Sequence, residues 1–104
     1  MVLLSVLLIN ASNHTITPAI YKNLGFDAVN DFAGVALFGT VPNVLLVSPD
    51  KGYKTVQDLV AKANTQELTF SSSGIGSASH WAAERFRISA GFKATHVPFR
   101  GGLE

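Results

Sequence analysis

The sequence predicts an α/β fold built on an open, largely parallel sheet, and three observations lead there. Short apolar runs at residues 3–9, 35–38, 44–47, 68–70 and 94–98 alternate with segments of helical spacing. Two of these runs, 3–9 and 44–47, are nearly continuous in Leu, Ile and Val, the pattern of strands covered on both faces. A loop of serines and glycines at 71–77 joins a strand to a helix, the commonest place for a ligand in such sheets.

Taken in order, the run at 3–9 ends at Asn10 and reads as a buried strand rather than an export signal. It lacks a basic start and is too short to cross a bilayer. A polar turn at 10–15 follows. Thr17-Pro18 reads as a helix N-cap with proline at the first helical position. Ala19, Ile20 and Leu24 supply an apolar face, and Gly25 a C-cap. Residues 26–32 form a loop with two aspartates, 35–38 a strand, and 44–47 a strand stopped by Ser48-Pro49-Asp50. Thr55 with Asp58 forms a capping box for a helix over 55–64, whose Val56, Leu59, Val60 and Ala63 share one face. After the strand at 68–70 and the serine–glycine loop, a helix over 79–90 places Ala83, Phe86 and Ala90 inward and ends at Gly91. The strand at 94–98 leads into Phe99-Arg100. Trp81 and the phenylalanines fall at core-like spacings.

Composition narrows the function. The 104 residues suffice for one compact unit. They are 47% hydrophobic and only 14% charged, against about 25% charged in ordinary domains, so an incompletely polar surface is expected, of the kind left by a missing domain. A net charge of +1 offers no footprint for nucleic acid. There is no cysteine, and three isolated histidines without paired carboxylates make no metal site; no cofactor is expected.

The chemistry concentrates at 70–85. Ser73, Gly74, Gly76, Ser77, Ser79 and His80 surround the start of a helix. Small residues there allow close backbone approach, while unpaired amides and the positive end of the helix dipole attract an anion. This reads as a carboxylate or phosphate cradle; the plain alternative is a tight turn with Ser77 or Ser79 as N-cap. Gly74-Ile75-Gly76 lacks the third glycine of a dinucleotide fingerprint, Ser79 standing in its place. The serine-hydrolase pattern fails at His80, where a second glycine belongs, and no acid is evident to orient a Ser77–His80 pair. His80 either donates to a ligand or caps the loop. Asn13, His14 and Thr15 sit in the polar turn after the first strand and read as part of a site wall. His96, alternating within a strand, reads as structural.

Five segments together resemble the Bug-type extracytoplasmic solute receptors of tripartite tricarboxylate transporters. They are Asn13-His14-Thr15-Ile16-Thr17-Pro18-Ala19-Ile20-Tyr21, Asp31-Phe32, Val41-Pro42-Asn43-Val44-Leu45-Leu46-Val47, Ser73-Gly74-Ile75-Gly76-Ser77-Ala78-Ser79-His80 and His96-Val97-Pro98-Phe99-Arg100-Gly101. The resemblance implies part of a two-lobed, type II periplasmic-binding-protein fold. Residues 1–43 would belong to lobe 1, and 44–104 would supply the hinge strand and the first part of lobe 2. It implies a small organic carboxylate as ligand, a di- or tricarboxylate, an aromatic acid or an amino acid. It also implies periplasmic location, transporter membrane subunits as partners, and no catalysis. Gly34 stands where the family commonly has proline, and Phe99-Arg100 replaces the usual Tyr-Lys. The glycine-rich first strand-to-helix loop of the family is not found, and Leu103-Glu104 reads as a tag scar, so the chain is expected to be a fragment. Such a fragment is expected to bind solute weakly and to self-associate or exchange elements between copies. The competing expectation is a small α/β serine hydrolase or transferase using Ser77 and His80.

Overall fold

The computed structural model describes residues 6–101. Its organised centre is a β–α–β unit. Strand β1 (Leu68–Ser72) leads through the serine–glycine loop into helix α3 (Ala78–Ala90), and strand β2 (Ala94–Pro98) returns parallel to β1. The register runs from Leu68 opposite Ala94 to Ser72 opposite Pro98, and Phe99 N–H extends the ladder by donating to the Ser72 carbonyl. Of the expected strands, those at 68–70 and 94–98 are therefore present and paired in parallel, in a two-stranded sheet.

Helix α2 (Val56–Ala63) packs beside this unit. Its capping box is formed as the sequence predicts: the Asp58 amide donates to Thr55 Oγ1 at 3.1 Å, and the Asp58 carboxylate accepts from the Thr55 amide at 3.0 Å. That carboxylate also takes the Lys54 amide, the leading cause of its lowered pKa, with Thr55 second. Among the described residues, Leu59 and Ala63 on α2 and Phe92 after α3 are the buried hydrophobic residues. Phe86 meets Phe92 edge-on at 5.5 Å. α3 ends at left-handed Gly91, whose amide donates to the Arg87 and Ile88 carbonyls while the Phe92 amide reaches back to Arg87. This C-terminal motif drops Phe92 onto the core.

Upstream of residue 49 the structure departs from expectation. Helix α1 spans Asn13–Ile20, with Ser12 at the N-cap position but making no side-chain capping bond, and with Pro18 inside it. The predicted N-cap at Thr17 is thus displaced five residues. The amides of His14, Thr15 and Ile16 anchor the first turn to Ala11 and Ser12, and Pro18 forfeits only the bond its amide would have made to the His14 carbonyl. The helix ends at extended Tyr21, and Gly25 does not serve as its C-cap. Residues 6–9 of the first predicted strand, and both 35–38 and 44–47, are irregular and exposed; residues 3–5 lie outside those described. Val35, Leu37, Phe38 and Val41 are each at least 84% exposed. A strand needs a partner for its amides and carbonyls, and none of these runs has one here. A 3₁₀ turn at Pro49–Lys51 follows 44–47. Trp81 is 52% exposed rather than core, and Ala83, Phe86 and Ala90 are half-buried. No helix among the described residues is long and apolar enough to cross a membrane.

Candidate functional site

The loop between β1 and α3 is shaped by two glycines with positive φ, Gly74 at 125° and Gly76 at 80°. A Cβ at Gly74 would lie 3.3 Å from the Phe99 carbonyl oxygen. One at Gly76 would lie 3.2 Å from Cδ1 of Ile20, so α1 rests directly on this loop. Ser77 is the N-cap of α3, its Oγ accepting the His80 amide at 3.2 Å.

Three hydroxyls cluster here, with Ser79 Oγ 3.0 Å from Ser73 Oγ and 3.1 Å from Ser77 Oγ. Most of the loop's amides already have acceptors. Ser73 N–H donates to Ser79 Oγ, Gly74 N–H to Ser72 Oγ, Gly76 N–H to Nδ1 of His80, and Ser77 N–H to the Gly74 carbonyl. The amides of Ile75, and of Ala78 and Ser79 at the first two positions of α3, have no acceptor among the described residues. The donors available to an anion are therefore fewer than the run of serines and glycines at 71–77 suggests, and two of the three sit at the helix start.

Ser72 and His96 were not singled out as site residues, yet they buttress the loop. Ser72 is 8% exposed, and its Oγ lies 2.6 Å from Nε2 of His96 while taking the Gly74 amide. His96 stacks between Phe70 and His80. Burial pushes its pKa down, the His80 ring adds to that, and Glu84 opposes it. Glu84 is clamped by Arg87, with Nη2 to Oε2 at 2.7 Å, which holds its carboxyl below the usual range. Sequence spacing alone carries no sign of the His80–His96 contact, because it depends on β2 lying beside β1 under the first turn of α3.

Asn13, His14 and Thr15 lie in the first turn of α1 and share no hydrogen bond or ring contact with the 73–80 loop; α1 reaches it through Ile20. His14 is internally engaged. Asn10 Nδ2 donates to its Nδ1 at 3.2 Å, its Nε2 donates to the Ala28 carbonyl at 2.8 Å, and Phe32 and Phe26 flank it. Asp27 organises the turn that presents Ala28 by accepting the amides of Val29 and Asn30, and the Asn30 side chain is the leading cause of its lowered pKa. Thr15 Oγ1 donates to the Ser12 carbonyl.

Ser77 and His80 make no side-chain hydrogen bond to each other; their contact is amide to hydroxyl, and the Nδ1 lone pair of His80 is taken by Gly76. A nucleophile–base pair is not formed there. The serine–histidine side-chain pair that is formed, Ser72–His96, has its hydroxyl buried and committed to Gly74. The described residues hold no cluster of three or more metal-ligating side chains.

A broad apolar groove of about 640 Å³ lies between residues 43–47 and the core, floored by Leu59, Leu68, Phe70, Ala83, Phe86 and Phe92.

Residues 5–104 match the family model described as the tripartite tricarboxylate transporter family receptor. A UPF0065 protein of Pseudomonas sp. (strain P51) is 31% identical over 97 residues, covering 91% of this chain and 29% of that protein. A UPF0065 protein of Bordetella pertussis is 32% identical over 102 residues, covering 96% of the chain and 31% of that relative. The protein BugT of the same organism is 26% identical over 85 residues, covering 80% and 26%. The chain thus spans about 30% of the length of the first two of these relatives. No solved structure matches it.

Proposed function

The chain belongs to the receptor family of tripartite tricarboxylate transporters, and from that premise we propose that it forms part of a periplasmic receptor for a small organic carboxylate. The solute is a di- or tricarboxylate, an aromatic acid or an amino acid, passed to the transporter's membrane subunits without chemical change. In this reading residues 1–43 belong to one lobe, and 44–104 supply the hinge strand and the start of the second. Ser73, Gly74, Gly76, Ser77, Ser79 and His80 form one wall of the site, and Asn13, His14 and Thr15 contribute to the other. Closure of the lobes on the solute would create the form that the membrane partner recognises.

The observation that carries the proposal is the pair of acceptor-free amides at Ala78 and Ser79, beside the Ser77 and Ser79 hydroxyls. They are first-turn donors at the positive end of a 13-residue helix, where a carboxylate binds without a neighbouring cation. The hydrolase alternative loses its support, since Ser77 and His80 are not joined side chain to side chain. Titrating the ¹⁵N-labelled chain with citrate, succinate, benzoate and glutamate tests the proposal. At least one acid should move the Ala78 and Ser79 amide resonances with a Kd of about 1 mM or weaker, because an open wall buries little of a ligand. If all four leave both amides in place, the carboxylate reading fails. The exposed apolar residues Val35, Leu37, Phe38, Val41, Val44 and Leu46 support self-association, including exchange of elements between copies, as a property of the isolated chain.

A further inference from the structure

Phe70 on β1, His96 on β2 and His80 in the first turn of α3 form a column of rings. Centroids are 4.9 Å apart at 23° for Phe70–His96, and 4.1 Å apart at 14° for His96–His80. Each imidazole holds one side of the loop, His96 through Ser72 Oγ at 2.6 Å and His80 through the Gly76 amide at 3.2 Å. The two contacts respond differently to a proton. An imidazolium at His96 still donates from Nε2 to Ser72, whose hydroxyl proton can point to the Gly74 carbonyl at 3.2 Å. An imidazolium at His80 carries a proton on Nδ1, so the acceptor of the Gly76 N–H becomes a second donor facing it.

We infer that His80 is a proton-operated latch on the Gly76 loop: the neutral ring pins the Gly76 amide inward, and the charged ring releases it. A released Gly76 amide would add to the acceptor-free amides of Ile75, Ala78 and Ser79 in the same stretch of chain, so the latch governs how many donors the loop presents. Burial and the adjacent His80 ring disfavour charge on His96, and two near-parallel rings 4.1 Å apart accommodate one charge far better than two. Glu84 is the charged group that acts on both rings. It faces the pair from α3, already clamped by Arg87. β1 and β2 bring no other ionisable side chain, and α1 meets the loop through Ile20.

The latch belongs to the loop itself and is tested without any added solute, so it stands or falls apart from carboxylate binding. In ¹H–¹⁵N spectra recorded from pH 8 to pH 5, the Gly76 amide is expected to move with the same midpoint as the His80 ring protons. Protection of the 73–77 amides from exchange, corrected for intrinsic rates, should fall by about tenfold per pH unit once the ring charges. His80→Gln offers Gly76 a carbonyl acceptor that does not titrate, and should abolish the transition. His96→Phe keeps the ring column and should retain it. A Gly76 amide in the unsubstituted chain that ignores the His80 titration overturns the latch, as does a transition that persists in His80→Gln.

Discussion

Gly74 and Gly76 both have positive φ, but what a side chain would meet at each differs, and so do the expected costs of substitution. At Gly76 a methyl group faces the tip of Ile20, which can swing aside, leaving mainly the backbone penalty of about 1–2 kcal/mol. At Gly74 the obstacle is the Phe99 backbone carbonyl, and φ of 125° lies outside the region that other residues tolerate, so about 2–3 kcal/mol is expected. Urea unfolding of Gly74→Ala and Gly76→Ala should therefore rank the first as the more destabilised. At this scale the sequence exposed residue types but not their partners. Glycines in the loop and a serine N-cap were legible. That Gly74, Gly76 and Ser73 direct their amides to Ser72, His80 and Ser79 was not, because those bonds join residues whose side-chain directions are set by the fold. His14 shows the same limit, being a polar residue in a polar segment whose two nitrogens are claimed by Asn10 and Ala28.

Two helices with local signals came out as read, whereas α1 starts at Asn13 and ends before Gly25 despite the Thr17-Pro18 and Gly25 signals. α2 carries its start in Thr55 and Asp58, and α3 its end in Gly91, because caps are contacts between residues a few positions apart. Thr55→Ala removes the hydroxyl that takes the Asp58 amide and should cost about 1 kcal/mol by thermal or urea unfolding. β1 and β2 were legible because each is the other's partner across a single helix. The runs at 35–38 and 44–47 carry equally strong strand composition yet remain irregular, since composition cannot supply the neighbour that pairs with them. The sheet also has a pH consequence through His96. Its folded pKa lies below the ordinary 6.5, so above pH 6.5 both folded and unfolded forms are neutral and nothing is lost. As pH falls through 6.5 the unfolded chain takes the proton first, and stability declines until the folded value is reached. Melting temperature should therefore begin to drop near pH 6.5, before the carboxylates of Asp27, Asp58 and Glu84, whose ordinary values are 3.8 to 4.5, lose their stabilising contacts. His96→Phe should flatten that first decline.

The molecule as a whole is drawn out. Its radius of gyration is 17.7 Å, with extents of 64 × 27 × 23 Å, where a compact chain of this length has a radius of about 13 Å. It exposes 8880 Å², against about 5,600 Å² for a compact protein of its mass. The difference, roughly 3,300 Å², exceeds the roughly 800 Å² per partner that a standard stable interface covers, and much of it is apolar: Val35, Leu37, Phe38 and Val41, then Val44 and Leu46. Self-association is the expected outcome. Sedimentation should show mass rising with concentration, and a clean monomer at high concentration would count against the exposed apolar segments acting as contact surfaces. The apolar, charge-poor composition made this surface legible in advance, whereas which segments carry it required the fold.

Among the described residues, burial is confined to the stretch from Leu59 to Phe92, with Ser72 and Gly76 inside it. The chain is therefore uneven in its resistance to digestion. A protease finds residues 33–47 open without any prior unfolding, while cleavage between 56 and 98 waits on disruption of α2, α3 and the strand pair. The first cuts sever α1 from the loop it rests on and leave the β–α–β unit whole, so Gly76 loses the cover of Ile20 well before the hydroxyl cluster beside it is disturbed.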